Sequence, residues 1–189
     1  MVSTGRHHGF ESLEEQRLLL ALDFLGNLAE VLPQPFRLTF AAAGGRGEHI
    51  PDFLARFDDG VTWLFDVRPL LLVRDEDVVR FAAASEAALA SGWRYAVVTG
   101  WRPHVLGVLD ALSAQRRGLQ DPLGLQRQLV EAARAGPRGF GDLVATTSLP
   151  AVARAHALHL LWHRRLGVDL SRPLGDHSLV WPASQDDGR

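Results

Sequence analysis

The stretch HIPDFLARFDDGVTWLFDVRP, residues 49–69, constrains this chain more than any other. HIPDFLARF and VTWLFDVRP are rich in aromatic and β-branched residues, and the turn residues Asp58, Asp59 and Gly60 separate them. That pattern predicts two strands joined by a turn, with Pro69 ending the second. Asp52 and Asp66 are thereby carried to neighbouring strand positions. In strand alternation Asp66 and Arg68 share one face, opposite Phe65 and Val67. A carboxylate flanked by Leu64, Phe65, Val67 and Leu70 is costly to bury without a partner or a metal. Taken singly, Asp52 after Pro51 also reads as a turn residue, and Asp66 as the partner of Arg68 or Arg56.

The flanking segments complete a mixed α/β pattern. MVSTGRHHGF reads as a loosely ordered arm. ESLEEQRLLLALDFLGNL predicts a helix from Ser12 to about Leu25, with Leu13, Leu20, Phe24 and Leu28 near one face and a Ser12–Glu15 capping box. Glu14 falls in its first turn, where the helix dipole alone would favour it. The prolines of VLPQP forbid a long helix, FRLTF alternates as a strand, and AAAGGRGE is a flexible hairpin tip. After Pro69, Asp75 to Ala90 predicts an amphipathic helix using Val78, Val79, Phe81, Ala82 and Leu89, followed by the buried strand GWRYAVVTG. The order helix, three strands, helix, strand is that of an α/β core.

Past Val105 the chain reads as short helices, VLGVLDALSAQRR, LGLQRQLVEAARAG, GFGDLVATT and PAVARAHALHLLWHRRL, and then as two extended arms around Gly175. Short helices ending in a hairpin fit a winged helix-turn-helix module. The expected division is residues 1–115, 116–183 and a flexible tail at 184–189.

Composition narrows the chemistry. The chain has no cysteine and no lysine, and all 20 of its Lys+Arg positions are arginine. Disulfides, thiolate metal sites and cysteine nucleophiles are excluded, so a metal would be held by oxygen or histidine nitrogen. Residues 1–100 carry 9 arginines against 14 acids, and residues 101–181 carry 10 against 6. Carboxylates in the front half suit a divalent cation, and basic residues in the back half suit phosphate backbones, although solvated surface charge gives the same count. The apolar runs fall short of a membrane span and no secretory leader is legible, so a cytoplasmic protein is expected.

The segments SLEEQRLLLALDF, LPQPFRL, HIPDFLARFDDG and WLFDVRP, in that order over about the first hundred residues, resemble the TnsA-type transposase endonuclease subunits. The resemblance implies a PD-(D/E)xK, restriction-endonuclease-like core with a mixed sheet flanked by helices, followed by a small helical, winged-helix-like C-terminal domain. It implies a metal-dependent DNA endonuclease that hydrolyses phosphodiester bonds at transposon ends with Mg²⁺ or Mn²⁺, beside a separate DDE transposase. Glu14, Asp52, Asp66 and Arg68 fall at the family's catalytic positions. Asp52 and Asp66 would hold the metal, with the Val67 carbonyl as an additional ligand.

The family's lysine is Arg68 here. Arginine stays protonated and cannot act as a general base, though it can hold a phosphate and stabilise negative charge. The alternative reading is therefore a catalytically degenerate nuclease-fold protein, a DNA-binding or scaffold subunit in regulation or phage defence. His49, Arg154, Arg164 and Arg165 are the candidate contacts to double-stranded DNA, with Leu161 and Trp162 expected in the core. His156, His159 and His163 have zinc-compatible helical spacing but lack an accompanying catalytic glutamate motif.

Overall fold

A computed structural model describes residues 1–42 and 45–183. The chain forms two compact units, Met1–Gly100 and Trp101–Arg189. The expected boundary at 115/116 assigned Pro103–Ser113 to the first domain. In the structure this helix belongs to the second unit, and its Val108, Leu109 and Leu112 are buried. The expected tail and the hairpin tip at Ala43-Gly44 lie outside the described residues.

The first unit is mixed α/β. Helix α1 (Leu13–Leu25) starts as its sequence dictates: the Ser12 hydroxyl accepts from the Glu15 amide, and Glu15 reaches back to the Ser12 hydroxyl and the Glu11 amide. Gly26 ends it at φ 71°, a left-handed conformation glycine adopts without strain. The face it buries is not the expected one. Leu18, Leu19 and Leu22 are inside, whereas Leu13 is exposed and Leu28 has left the helix for β1 (Leu28–Pro33).

The central sheet has the order β1-β4-β5-β6, with β4 at Phe53–Phe57, β5 at Thr62–Val67 and β6 at Arg94–Val98. The first three strands run antiparallel, and β6 lies parallel to β5 after helix α2 (Asp75–Ala90). That return to a parallel strand requires a crossover, which α2 supplies. One face of the sheet buries Leu64 against Ala84 and Ala88 of α2, with Phe36, Leu38, Leu54, Trp93 and Tyr95 around them. Small alanines allow the helix to approach closely. Val78, Val79 and Leu89, expected in that contact, are exposed instead.

The expected strand FRLTF is not in this sheet. It becomes β2 (Leu38–Ala42), paired antiparallel with β3 (Gly45–His49) as a separate ribbon inserted between β1 and β4. LAEVLP, which carried no strand expectation, takes the place in the sheet because Leu28 and Val31 bury against β4. The run HIPDFLARF is correspondingly split, His49 closing the ribbon and Phe53 opening β4. The N-terminal arm is docked rather than loose: the Val2 and Ser3 amides and the Ser3 hydroxyl all donate to Asp23 of α1.

The second unit contains α3 (Pro103–Ser113), α4 (Leu125–Arg134), β7 (Arg138–Gly139), α5 (Phe140–Ala145), α6 (Pro150–Trp162), β8 (Leu166–Val168) and β9 (Leu179–Pro182). The short strands pair antiparallel in the order β7-β9-β8. Helix α6 is central, packing on α3, α4, α5 and β8. Leu161 and Trp162 are buried, as expected for core positions, and Leu160 is buried with them. Trp181 lies so close over Gly167 that any Cβ there would collide with its indole. Among the described residues no helix is long and apolar enough to cross a membrane.

Candidate active site

The two aspartates meet because β4 and β5 are in antiparallel register, Phe53 opposite Phe65. Asp52 immediately precedes that pair, and its amide donates to the Phe65 carbonyl at 3.1 Å. Its carboxylate Oδ2 accepts from the Val67 amide at 2.6 Å, so backbone and side chain both bind it to β5. Asp66, one residue past Phe65, is 1% exposed. His49 Nε2 lies 2.8 Å from its Oδ1, and the Tyr95 hydroxyl donates to its Oδ2 at 2.6 Å. Three elements, the end of the ribbon, β5 and β6, thus converge on one buried carboxylate. The two contacts offset much of its desolvation.

The electrostatics follow from that convergence. Burial pushes the Asp52 carboxyl up to about 6; the Val67 amide pulls against this, Asp66 and Glu15 push it further up, and His49 lowers it. Burial also raises the Tyr95 hydroxyl above its ordinary value, reinforced by the bond to Asp66, which keeps the phenol a proton donor. Asp52 thus sits where burial, more than any neighbour, disfavours its charged form.

The remaining candidates are placed as follows. Glu14 pairs with Arg17 on its own helix, and the helix acid whose charge acts on Asp52 is Glu15. Val67, expected to act through its carbonyl, engages Asp52 through its amide. His49, a candidate DNA contact, instead braces Asp66 and packs edge-on against Phe81, its side chain only 13% exposed. Arg68 turns to the neck of α2: its Nε donates to the Leu72 carbonyl at 3.2 Å and lies 3.2 Å from Asp77 Oδ2. Burial works to raise Asp77, but the Arg74 amide and the charges of Arg68 and Arg80 outweigh it and hold this carboxyl below its usual value.

In the second unit Arg154 pairs with Asp176 at 2.7 Å and lies over the Phe140 ring. Arg164 and Arg165 are exposed beyond the end of α6. Arg165 lines a cleft of about 460 Å³ with Arg127, Arg134, Asp121 and Glu131. His156 is buried against Gln126, and His159 bonds the Gln115 carbonyl while its ring contacts His163. Among the described residues no group of three or more His, Asp or Glu side chains is gathered to hold a metal.

Tyr95, Glu15 and Asp77 were not legible as site residues. Tyr95 carried a signal, being the only tyrosine of the chain and lying in a strand of aliphatic neighbours. Asp77 looked like any acid in a helix first turn. Compared with known proteins, the chain matches no family and no curated protein.

Proposed function

We propose that this protein is a metal-dependent DNA endonuclease subunit of the TnsA-like transposase type, acting on phosphodiester bonds at transposon ends. The observation that carries the reading is the side-by-side setting of Asp52, tied to the Val67 amide, and the buried Asp66, held by His49 and Tyr95. Perturbed, converging carboxylates mark functional sites more than structural ones. The sheet order, in which three antiparallel strands are followed by a helix and a parallel strand, supports a restriction-endonuclease-like core. The short helices closed by β8 and β9 support a winged-helix-like second unit.

The residues fit Mg²⁺ or Mn²⁺ in the manner such ions favour, with one or two carboxylates from the protein and the other positions left to water and phosphate. Asp52 and Asp66 would hold the ion, which supplies Lewis acidity and a more acidic water. His49 and Tyr95 keep the Asp66 carboxylate fixed in orientation. Arg68 holds negative charge at the phosphate, because its guanidinium keeps its proton. Double-stranded DNA and a DDE transposase or other protein subunit are the partners this reading calls for.

The second reading, a nuclease-fold subunit that binds or scaffolds without cutting, is favoured by one observation: Arg68 is tied to Asp77 and Leu72 and offers no general base. Mn²⁺-dependent cleavage of supercoiled and linear DNA separates the two. The nuclease reading expects cleavage by the wild type and none by Asp66→Ala. Cleavage that survives Asp66→Ala removes the site assignment, and cleavage by Arg68→Lys alone establishes the second reading.

A further inference from the structure

We infer that Asp77 is the positioning residue for Arg68, anchoring its guanidinium through Nε so that the two terminal amino groups form a clamp for one DNA backbone phosphate. The inference deepens the reading of the same site and rests on DNA being its ligand. Arg68 stands at the end of β5; its Nε donates its one hydrogen to the Leu72 carbonyl at 3.2 Å and forms an ion pair with Asp77 Oδ2, also at 3.2 Å. Residues 68–77 therefore close a loop around one guanidinium: strand end, the short 3₁₀ turn Leu70–Leu72, and the first turn of α2. Asp77 is 7% exposed and nearly immobilised, since Oδ2 also accepts from the Arg74 amide at 3.1 Å and Oδ1 from Arg80 at 3.2 Å.

Such an anchor selects arginine. A guanidinium can be held by its inner nitrogen and still present two parallel donors to a phosphate, whereas an ammonium has a single nitrogen for both tasks. The departure from the family lysine acquires a physical meaning: this position is arranged to hold an anion, one residue beyond the Val67 amide that binds Asp52. The cap that Asp77 forms on α2 is the competing explanation of its burial. Asp77→Asn separates the two roles, because the amide oxygen still accepts from the Arg74 amide while the charge that fixes Arg68 is gone.

The test is equilibrium binding of the full chain to a 40-base-pair duplex in EDTA, followed by fluorescence anisotropy across a salt series, with thermal melting of each variant as the fold control. Arg68→Ala is expected to weaken binding about tenfold and to reduce the slope of log K against log salt by about one, the signature of one lost phosphate contact. Asp77→Asn should do most of the same, the double variant should add little to Arg68→Ala, and Arg6→Ala, at an exposed arginine of the N-terminal arm, should leave binding within about twofold. Arg68→Lys should bind more weakly than wild type despite its equal charge. An unchanged slope in Arg68→Ala, wild-type affinity in Asp77→Asn or Arg68→Lys, or no duplex binding by the wild type overturns the inference. If the pattern holds while wild type fails to cleave DNA with Mn²⁺, the nuclease reading falls and the clamp stands.

Discussion

In the first unit Asp66 is 1% exposed and takes hydrogen bonds from residues of two other elements, while on α6 the side chain of Arg154 is 51% exposed and merely pairs with Asp176. Both regions came from the sequence as candidate sites rich in charge. They differ in what is buried. At the carboxylate corner the polar atoms are inside and the charges are mutually unfavourable, so the arrangement has to be offset by dedicated donors or a cation. On α6 the inside is mainly apolar, Leu160, Leu161 and Trp162 beside the single buried His156 that meets Gln126, and the arginines lie at the surface where an ion pair contributes about 0–1 kcal/mol. Burial with perturbation distinguishes the two regions; charge count does not.

The comparison breaks most visibly at Asp66. On the proposed nuclease function, Asp66→Ala is expected to lower Mn²⁺-dependent cleavage by at least about a hundredfold, since a metal ligand would underlie several kcal/mol of charge stabilisation. On α6, Leu160→Ala should leave the cleavage chemistry intact in whatever protein folds but cost about 2–5 kcal/mol of stability, read from urea unfolding, because a fully buried leucine leaves a cavity.

Asp52 sharpens the comparison through pH. Its carboxyl is raised from 3.8 to about 6, so the folded state binds this proton more tightly than the unfolded chain. The penalty of ionising it is absent below about pH 4 and complete above about pH 6, and this group makes stability fall as pH rises between those values. Asp52→Asn keeps an acceptor for the Val67 amide and removes the penalty; it should stabilise the metal-free protein at pH 7 by about 2 kcal/mol. If the proposed metal site holds Mn²⁺, the same variant should abolish the stability that the ion adds to the wild type. A destabilised Asp52→Asn would show that the carboxylate is an ordinary structural anchor.

Smaller effects are expected at the braces and at the surface. Tyr95→Phe leaves one Asp66 oxygen without its donor and should weaken Mn²⁺ affinity about tenfold, measured by calorimetry, with a stability loss of about 1–3 kcal/mol. Arg154→Ala should change stability by no more than about 1 kcal/mol. A Tyr95→Phe protein with undiminished Mn²⁺ affinity would sever the brace from the site.

Much of the first unit was legible because it rests on local chemistry. The Ser12 cap, the Gly60 turn at φ 82°, and strand β5 all follow from residues within a few positions of one another. Which strand joins which sheet did not. FRLTF and LAEVLP are both short apolar stretches beside proline, and burial of Leu28 and Val31 against β4, a long-range contact, decided between them. The exposed face of α2 misled for a related reason: valine and leucine look like core residues, but the helix packs on Leu64 through the small Ala84 and Ala88. At the site, Asp52 and Asp66 were readable from hairpin spacing, whereas Tyr95 reaches Asp66 from a strand that returns only after α2. Glu14 and Glu15 were separated only by side-chain direction: one turns to Arg17, and the charge of the other reaches Asp52.

The most direct test of the central claim is conversion of supercoiled plasmid to nicked or linear DNA by the purified protein with Mn²⁺ at pH 7.5, compared with Asp52→Asn and Asp66→Ala. The account predicts metal-dependent cleavage by the wild type and none by either variant, with both variants shown to be folded by thermal melting. Equal cleavage by all three, or none by the wild type under conditions where it binds Mn²⁺ and DNA, would contradict it.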